Sequence, residues 1–263
     1  MGFKVSNGLR DIVNALTGRQ GWHAELTLGY QQRGDKTRLV DSKREGPLAV
    51  QRAFYPEGEV CHTYLLHPPG GVVAGDDLNI VLNVAKEAKV LLTTPGATKF
   101  YRSIGPVAEV NQHLHVASGG SLEWMPLENI FFPGTQSHIV TEVHLEAGSH
   151  FIGWEINCFG RPSNEERFDT GTLSSEMRIF RDGEPVLIDR FATEATNLID
   201  SAIGLKGVSG YASMVATVDD QELLDQVQKL LSDDPLSGAT LMDGLLVVRT
   251  ISEQSQEVIS LFS

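Results

Sequence analysis

Cysteine is scarce. Cys61 and Cys158 are the only two in 263 residues, and they form no Cys-x-x-Cys pair. That excludes a disulfide framework and fits free thiols in a reducing cytosol. Basic side chains are in deficit as well: 21 Lys and Arg face 34 Asp and Glu, a formal charge of -13. Binding to a phosphate backbone draws on clustered Lys and Arg, so the balance argues against nucleic acid and favours metal ions or cationic partners. Long apolar runs are missing too. No stretch of about 18 apolar residues exists and the N-terminus lacks the apolar core of a signal peptide, so the expectation is a cytoplasmic chain with no membrane partner. Catalytic signatures are absent in turn: there is no Gly-x-Ser-x-Gly elbow and no His-Glu-x-x-His. Gly96-Ala97-Thr98-Lys99 has the end of a phosphate loop, but Leu91 stands where its first glycine belongs.

What the chain does have is alternation. Trp22, Ala24, Leu26, Leu28 and Tyr30 share one parity, opposite His23, Glu25 and Thr27, which predicts a half-buried strand followed by a hairpin through Gln32 to Lys36 into Thr37 to Val40. Val60 to His67 alternates as well, with Cys61, Thr63, Leu65 and His67 on one face and Val60, His62, Tyr64 and Leu66 on the other. Pro68, Pro69, Gly70, Gly71 and Gly75 then predict a stiff, exposed corner ending on Asp76 and Asp77.

A spacing recurs after that corner. Leu82-x-Val84 with Val90-x-Leu92, Leu114-x-Val116 with Leu122-x-Trp124, and Val143-x-Leu145 with Phe151-x-Gly153 each join two alternating pairs through five residues holding Ala or Gly. Their starts lie 32 and 29 residues apart. A strand-turn-strand unit at that period predicts stacked strand layers, a β-helical or sandwich-like array in which each layer buries its apolar face on the next. Thr172 to Phe180 and Val186 to Phe191 form a further pair around Asp182-Gly183, and Ala239 to Ile251 another around Asp243-Gly244. One helix is predicted near 220–232, capped by Asp219 with Glu222, carrying Leu223, Leu224, Val227, Leu230 and Leu231 as its apolar stripe and stopped by Pro235. Val258 to Phe262 is a short amphipathic end. The expected organisation is thus mainly β with one or two peripheral helices: a loosely ordered extension over 1–20, containing a short helix from Leu9 to Leu16, and a single β-rich domain over 21–263.

Several side chains invite chemistry. His113 and His115 share a strand face and could share a metal, though polar-face histidines commonly just meet solvent. Cys61 and His62 are adjacent, so pleating sends them to opposite faces and away from a common ion. Asp189 shares a face with Leu187 and Phe191, and Glu155 with Phe151. A carboxylate in such company must pair, neutralise or meet a cation, and Arg161 or Arg190 would serve as a structural partner.

A family resemblance is carried by several blocks in order. His67-Pro68-Pro69-Gly70-Gly71-Val72-Val73-Ala74-Gly75-Asp76 is preceded by Gln51-Arg52-Ala53-Phe54-Tyr55-Pro56 and followed by Thr94-Pro95-Gly96-Ala97-Thr98-Lys99-Phe100-Tyr101-Arg102-Ser103. Leu122-Glu123-Trp124-Met125-Pro126, Ile130-Phe131-Phe132-Pro133-Gly134, Gly160-Arg161-Pro162 and Gly171-Thr172-Leu173 continue it, so that about Gly21 to Ile251 resembles the urease accessory protein UreD, also called UreH. The chain departs from the family pattern in its first 20 residues and in stopping at Ser263, before the usual C-terminal helix and Pro-Arg-Ile-Trp-like ending.

The resemblance implies a non-enzymatic scaffold that binds apo-urease and UreF, with UreG joining through UreF, in a hetero-oligomeric complex for nickel insertion. It implies no tightly held cofactor, with nickel as cargo in transit through a polar passage. The matching positions are Glu59, Asp76, Thr98, Glu155 and Asp189, with Glu59, Asp76, Glu155 and Asp189 as transient ligands. His67, Pro68, Pro69, Gly70, Gly71, Lys99, Tyr101 and Arg102 join Thr98 as passage or interaction positions. Two other readings of the residues stand beside it: a β-array hydrolase using paired carboxylates such as Glu123 and Glu155, and a protein-binding module with no metal role.

Overall fold

The computed structural model describes residues 21–195, 198–253 and 255–262. The expected extension over 1–20, with its Leu9 to Leu16 helix, lies outside them. The recurring spacing read from the sequence is the stack itself. Leu82 registers with Leu114 and Leu114 with Val143, while Val90 registers with Leu122 and Leu122 with Phe151, each pair on adjacent parallel strands.

Five strands form the parallel centre of the first sheet: β1 (His23–Arg33), β5 (Asp77–Val84), β8 (Ala108–Val116), β11 (Thr135–Leu145) and β14 (Gly171–Arg181). Four form that of the second: β4 (Cys61–Leu66), β6 (Lys89–Thr93), β9 (Ser121–Met125) and β12 (His150–Arg161). The chain alternates between them, β4 to β5 to β6 and onward, winding a two-sided β-solenoid. Antiparallel strands finish both ends. β2 (Lys36–Glu45) folds back on β1, and β15 (Glu184–Glu194) folds back on β14. In the second sheet β3 (Ala49–Val50) borders β4, while β16 (Gly210–Ala216), β18 (Leu245–Ile251) and β17 (Ser237–Met242) extend from β12. The short β7 (Thr98–Phe100), β10 (Asn129–Phe131) and β13 (Glu166–Arg167) pair at the corner side of the second sheet.

The turns joining the sheets stack as the strands do. Ala88, Gly120 and Ser149 each donate a backbone N–H three residues back, to Ala85, Ala117 and Glu146. The third residue of each turn is left-handed: Glu87 at φ 60°, Gly119 at 69° and Gly148 at 73°. Glycine adopts that conformation freely and glutamate does not. The two Asp-Gly hairpins are left-handed at both central residues, Asp182 with Gly183 and Asp243 with Gly244, as their sequence requires.

Two helices cover the outer face of the second sheet. Helix α1 (Gln221–Leu230) begins one residue later than expected: Asp220, not Asp219, is the cap, its carboxylate accepting from the N–H of Glu222 and Leu223. Leu224 and Leu231 are buried and Val227 packs beside them, whereas Leu223 and Leu230 face out. Helix α2 (Ser255–Phe262) contributes Val258 and Phe262, and both helices close over Trp154, Ile156, Leu246 and Val248. Trp22 is also a correction. It precedes β1 and is 58% exposed, because its backbone, bonded to Asp76 and Asp77, is what the fold holds.

Leu114, fully buried at the middle of the inward row Leu28–Leu82–Leu114–Val143–Ile179, is the test of the stack. Leu114→Ala should cost about 2–5 kcal/mol in urea denaturation through lost burial and the cavity left behind. Glu87→Gly should instead stabilise by about 0.5–1 kcal/mol, by relieving the left-handed strain.

Candidate functional site

The second inward row of the first sheet changes character across the solenoid. It reads Leu26, Ile80, Gln112, Thr141, Met177, Asp189, all in mutual register. On the second sheet the facing row runs Glu155, Ser213, Arg249. Alternation dictates the direction: Leu245 and Val247 point into the main core, so Arg249 shares their side of β18. Two rows of apolar parity therefore turn polar toward the last strands, and they meet.

Their hydrogen bonds and ion pairs fall into three neighbouring clusters. Thr141 donates its hydroxyl to Gln112 at 2.7 Å. Glu155 accepts at Oε1 from the Ser175 hydroxyl at 2.6 Å and the Asn157 amide at 3.0 Å, and Asn157 in turn accepts from Asn129 at 3.2 Å. Asp189 Oδ2 takes the Arg249 guanidinium at 2.9 Å and the Ser213 hydroxyl at 3.4 Å. A cavity of about 220 Å³ lies at the start of this file, lined by Thr94, Thr98, Gln112, Asn129, Thr141 and Glu155 among apolar neighbours. Glu155 keeps some accessible surface because it lines that cavity, yet it is screened from bulk water. Burial pushes its carboxyl above the ordinary 4.5, against the pull of Ser175 and Asn157, and the nearby Asp189 adds to the upward push.

The other end of the cavity is the His67 to Gly71 corner. His67, Gly70 and Gly71 line it together with Thr98. Burial holds the His67 imidazole below its ordinary value, against Asp76, and its Nε2 is buried with no hydrogen-bond partner. Pro68, Pro69 and Gly70 are exposed as expected. Gly71 is required by a close approach: a Cβ there would sit 2.3 Å from the Tyr101 ring and 2.9 Å from the Lys99 carbonyl. Tyr101 packs its edge on Phe132, over which Arg161 lies, while Lys99 and Arg102 are exposed on the same side.

The expected site residues thus separate into groups. His67, Gly70, Gly71, Thr98 and Glu155 surround one cavity, and Asp189 continues the file from Glu155. Asp76 does not end an exposed corner: it is 1% accessible, with Oδ1 accepting from Trp22 N–H and Oδ2 from Val73 N–H. Two backbone donors that would otherwise be orphaned draw the carboxylate inward. Glu59 sits at the opposite end of the strands, next to the start of β4, paired with Lys89. The arginines expected for Asp189 and Glu155 are committed elsewhere, Arg161 to Glu166 and Arg190 to Glu176. Arg249 takes Asp189 instead, and its signal in the sequence was a cation on the inward parity of Leu245 and Val247.

Other candidates resolve differently. Glu123 registers with Leu91 and Ile152 on the outer parity of the second sheet, whereas Glu155 faces inward, so the two carboxylates do not flank a common bond. Cys61 points inward and His62 outward toward Glu57 at 3.7 Å, and both cysteines are free thiols. On the outer face of the first sheet, His144 bonds Glu142 at 2.7 Å and stacks on His115, with His113 3.7 Å from the same carboxylate. Among the described residues no three His, Cys, Asp or Glu side chains converge to hold a metal ion, and no helix is long and apolar enough to cross a membrane.

Two parallel-strand sheets wound coil on coil, with polar rows toward their last strands and a cavity under the His67 to Gly71 corner, define a β-solenoid protein. Comparison with known proteins narrows the class. The family described as UreD urease accessory protein matches residues 23–263. The urease accessory protein UreD of Aliivibrio fischeri is 43% identical over 259 residues, spanning 94% of this chain and 90% of its own length. That of Alcanivorax borkumensis is 45% identical over 251 residues, spanning 92% and 85%, and that of Pseudomonas putida is 44% identical over 252 residues, spanning 95% and 89%. The chain belongs to the UreD urease accessory protein family.

Glu155 gives a test with a sign. A carboxyl whose pKa is raised by folding binds its proton more tightly in the native state, so its contribution is intact below about 4.5 and is lost as pH rises through the higher native value. Glu155→Gln keeps an acceptor for Ser175 and cannot ionise. Its stability relative to the wild type, read from urea denaturation, should therefore be greater at pH 8 than at pH 5.

Proposed function

We propose that this chain is the scaffold on which apo-urease receives nickel, binding the enzyme and the accessory protein UreF, with UreG engaged through UreF, and performing no bond chemistry of its own. Membership of an accessory-protein family for urease supports the urease partner, and the acidic balance of the chain suits a cationic cargo. The observation that carries the reading is the interior polar file, in which Thr98, Asn129, Gln112 and Thr141 lead to Glu155 and then Asp189.

Nickel is the cargo in this reading, not a resident cofactor. Oxygen donors hold Ni(II) less tightly than imidazole or thiolate, and a passage must bind its ion well enough to admit it and weakly enough to release it. Hydroxyls and amides spaced between two carboxylates meet both needs, and apolar walls keep the ion on one route. Glu155 and Asp189 act as successive stations for the cation. The Pro68-Pro69 corner and the Lys99, Tyr101 and Arg102 surface form the docking side, where a fixed shape limits the entropy lost on association.

Glu155→Ala combined with Asp189→Ala tests the cargo route. The double variant should co-purify with urease and UreF from cells expressing the urease genes, while activating urease several-fold less than the wild type at limiting nickel. Full activation by the double variant would remove the route, and recovery of the wild-type chain without urease or UreF would remove the scaffold.

A further inference from the structure

At the far side of the solenoid the end of the first sheet, β14 and β15, faces β12, β16, β18 and the β17–β18 hairpin of the second. Several contacts cross between the sheets at this end. Phe191 stacks on Tyr211 at 5.1 Å, and Phe191 also meets Phe159. Arg181 donates to the carbonyls of Asp243 at 2.9 Å and Gly244 at 3.3 Å, tying the two Asp-Gly hairpins together. Between these clamps lies the Asp189–Arg249 ion pair, the point at which both polar rows end. It is also the point nearest water along the file: the Arg249 side chain is 44% exposed and that of Asp189 21%.

We propose that Arg249 is the stopper of this mouth, a counter-ion that occupies Asp189 at rest and must be displaced for a divalent cation to pass. The inference rests on the cargo reading above and adds to it a residue and a means of control. Asp189 Oδ2 already takes the guanidinium and the Ser213 hydroxyl, so a metal ion reaches that oxygen only by replacing a cation already there. Asp189 at rest is thus already charge-matched and holds a further cation poorly. An arginine suits the task because its stem is long enough to swing out to solvent while its charge persists at every physiological pH.

Nickel binding by the full purified chain tests this without urease, so it can fail while the scaffold stands, and the reverse. In calorimetric titration with nickel chloride, Arg249→Gln should bind about tenfold more tightly than the wild type, since an unopposed carboxylate now faces the ion. Arg249→Lys should stay within about twofold of the wild type. Adding Asp189→Asn to Arg249→Gln should erase the gain, which excludes the outer histidines as its source. A second measurement uses the unaltered protein: nickel should accelerate phenylglyoxal modification of Arg249, mapped by mass spectrometry. A folded Arg249→Gln chain that binds nickel no more tightly overturns the proposal. So does a modification rate at Arg249 that nickel leaves unchanged or slows.

Discussion

Register is the constraint on which everything else in this protein depends. Parallel strands stacked coil on coil bring the same depth of the interior into contact layer after layer, so a row of side chains behaves as one structural unit. The row Leu28–Leu82–Leu114–Val143–Ile179 is fully excluded from water along its whole length. The next row toward the corner starts as Leu26 and Ile80 and ends as Met177 and Asp189, with a Gln112–Thr141 hydrogen bond between. A one-residue slip would turn both rows outward, and the polar file with them. The buried row and the polar file are therefore set by the same pairing.

A stack of parallel strands leaves unpaired backbone at both ends, and each end here is finished by antiparallel strands. β2 and β15 border the first sheet, β3 and β17 the second. Several bordering faces are charged: β2 carries Lys43, Arg44 and Glu45 exposed, features that discourage edge-to-edge pairing. The outer face of the second sheet is apolar under α1 and α2, whereas the outer face of the first carries histidines, Glu142 and Arg178 toward solvent. The outer faces of the two sheets thus differ in kind, one covered by helices and the other charged.

The charged groups of the file are each held differently. Asp189 is matched by Arg249, Glu155 is driven toward neutrality, and Asp76 spends both oxygens on backbone N–H groups. His67, with its buried unpartnered nitrogen, is the one imidazole on the cavity wall and stands at the corner end, opposite Arg249. The file thus has an imidazole at one end and an arginine at the other.

Alternation and the recurring five-residue link were enough to read the layers, because a two-residue period and a repeated turn are local properties of the chain. The Asp-Gly hairpins were legible for the same reason, as was the oddity of Glu155 and Asp189 among apolar neighbours. Depth and partnership were not. Asp76 looked like an exposed carboxylate until Trp22, 54 positions earlier, supplied the N–H that buries it. Arg249 paired with Asp189 only because β18 joins β16 and β16 joins β12, which carries Glu155 opposite the end of the first sheet. Parity along one strand says which way a side chain points. What waits there is decided by strands far away in sequence, so the interior file and its two mouths came into existence only when the coils closed on one another.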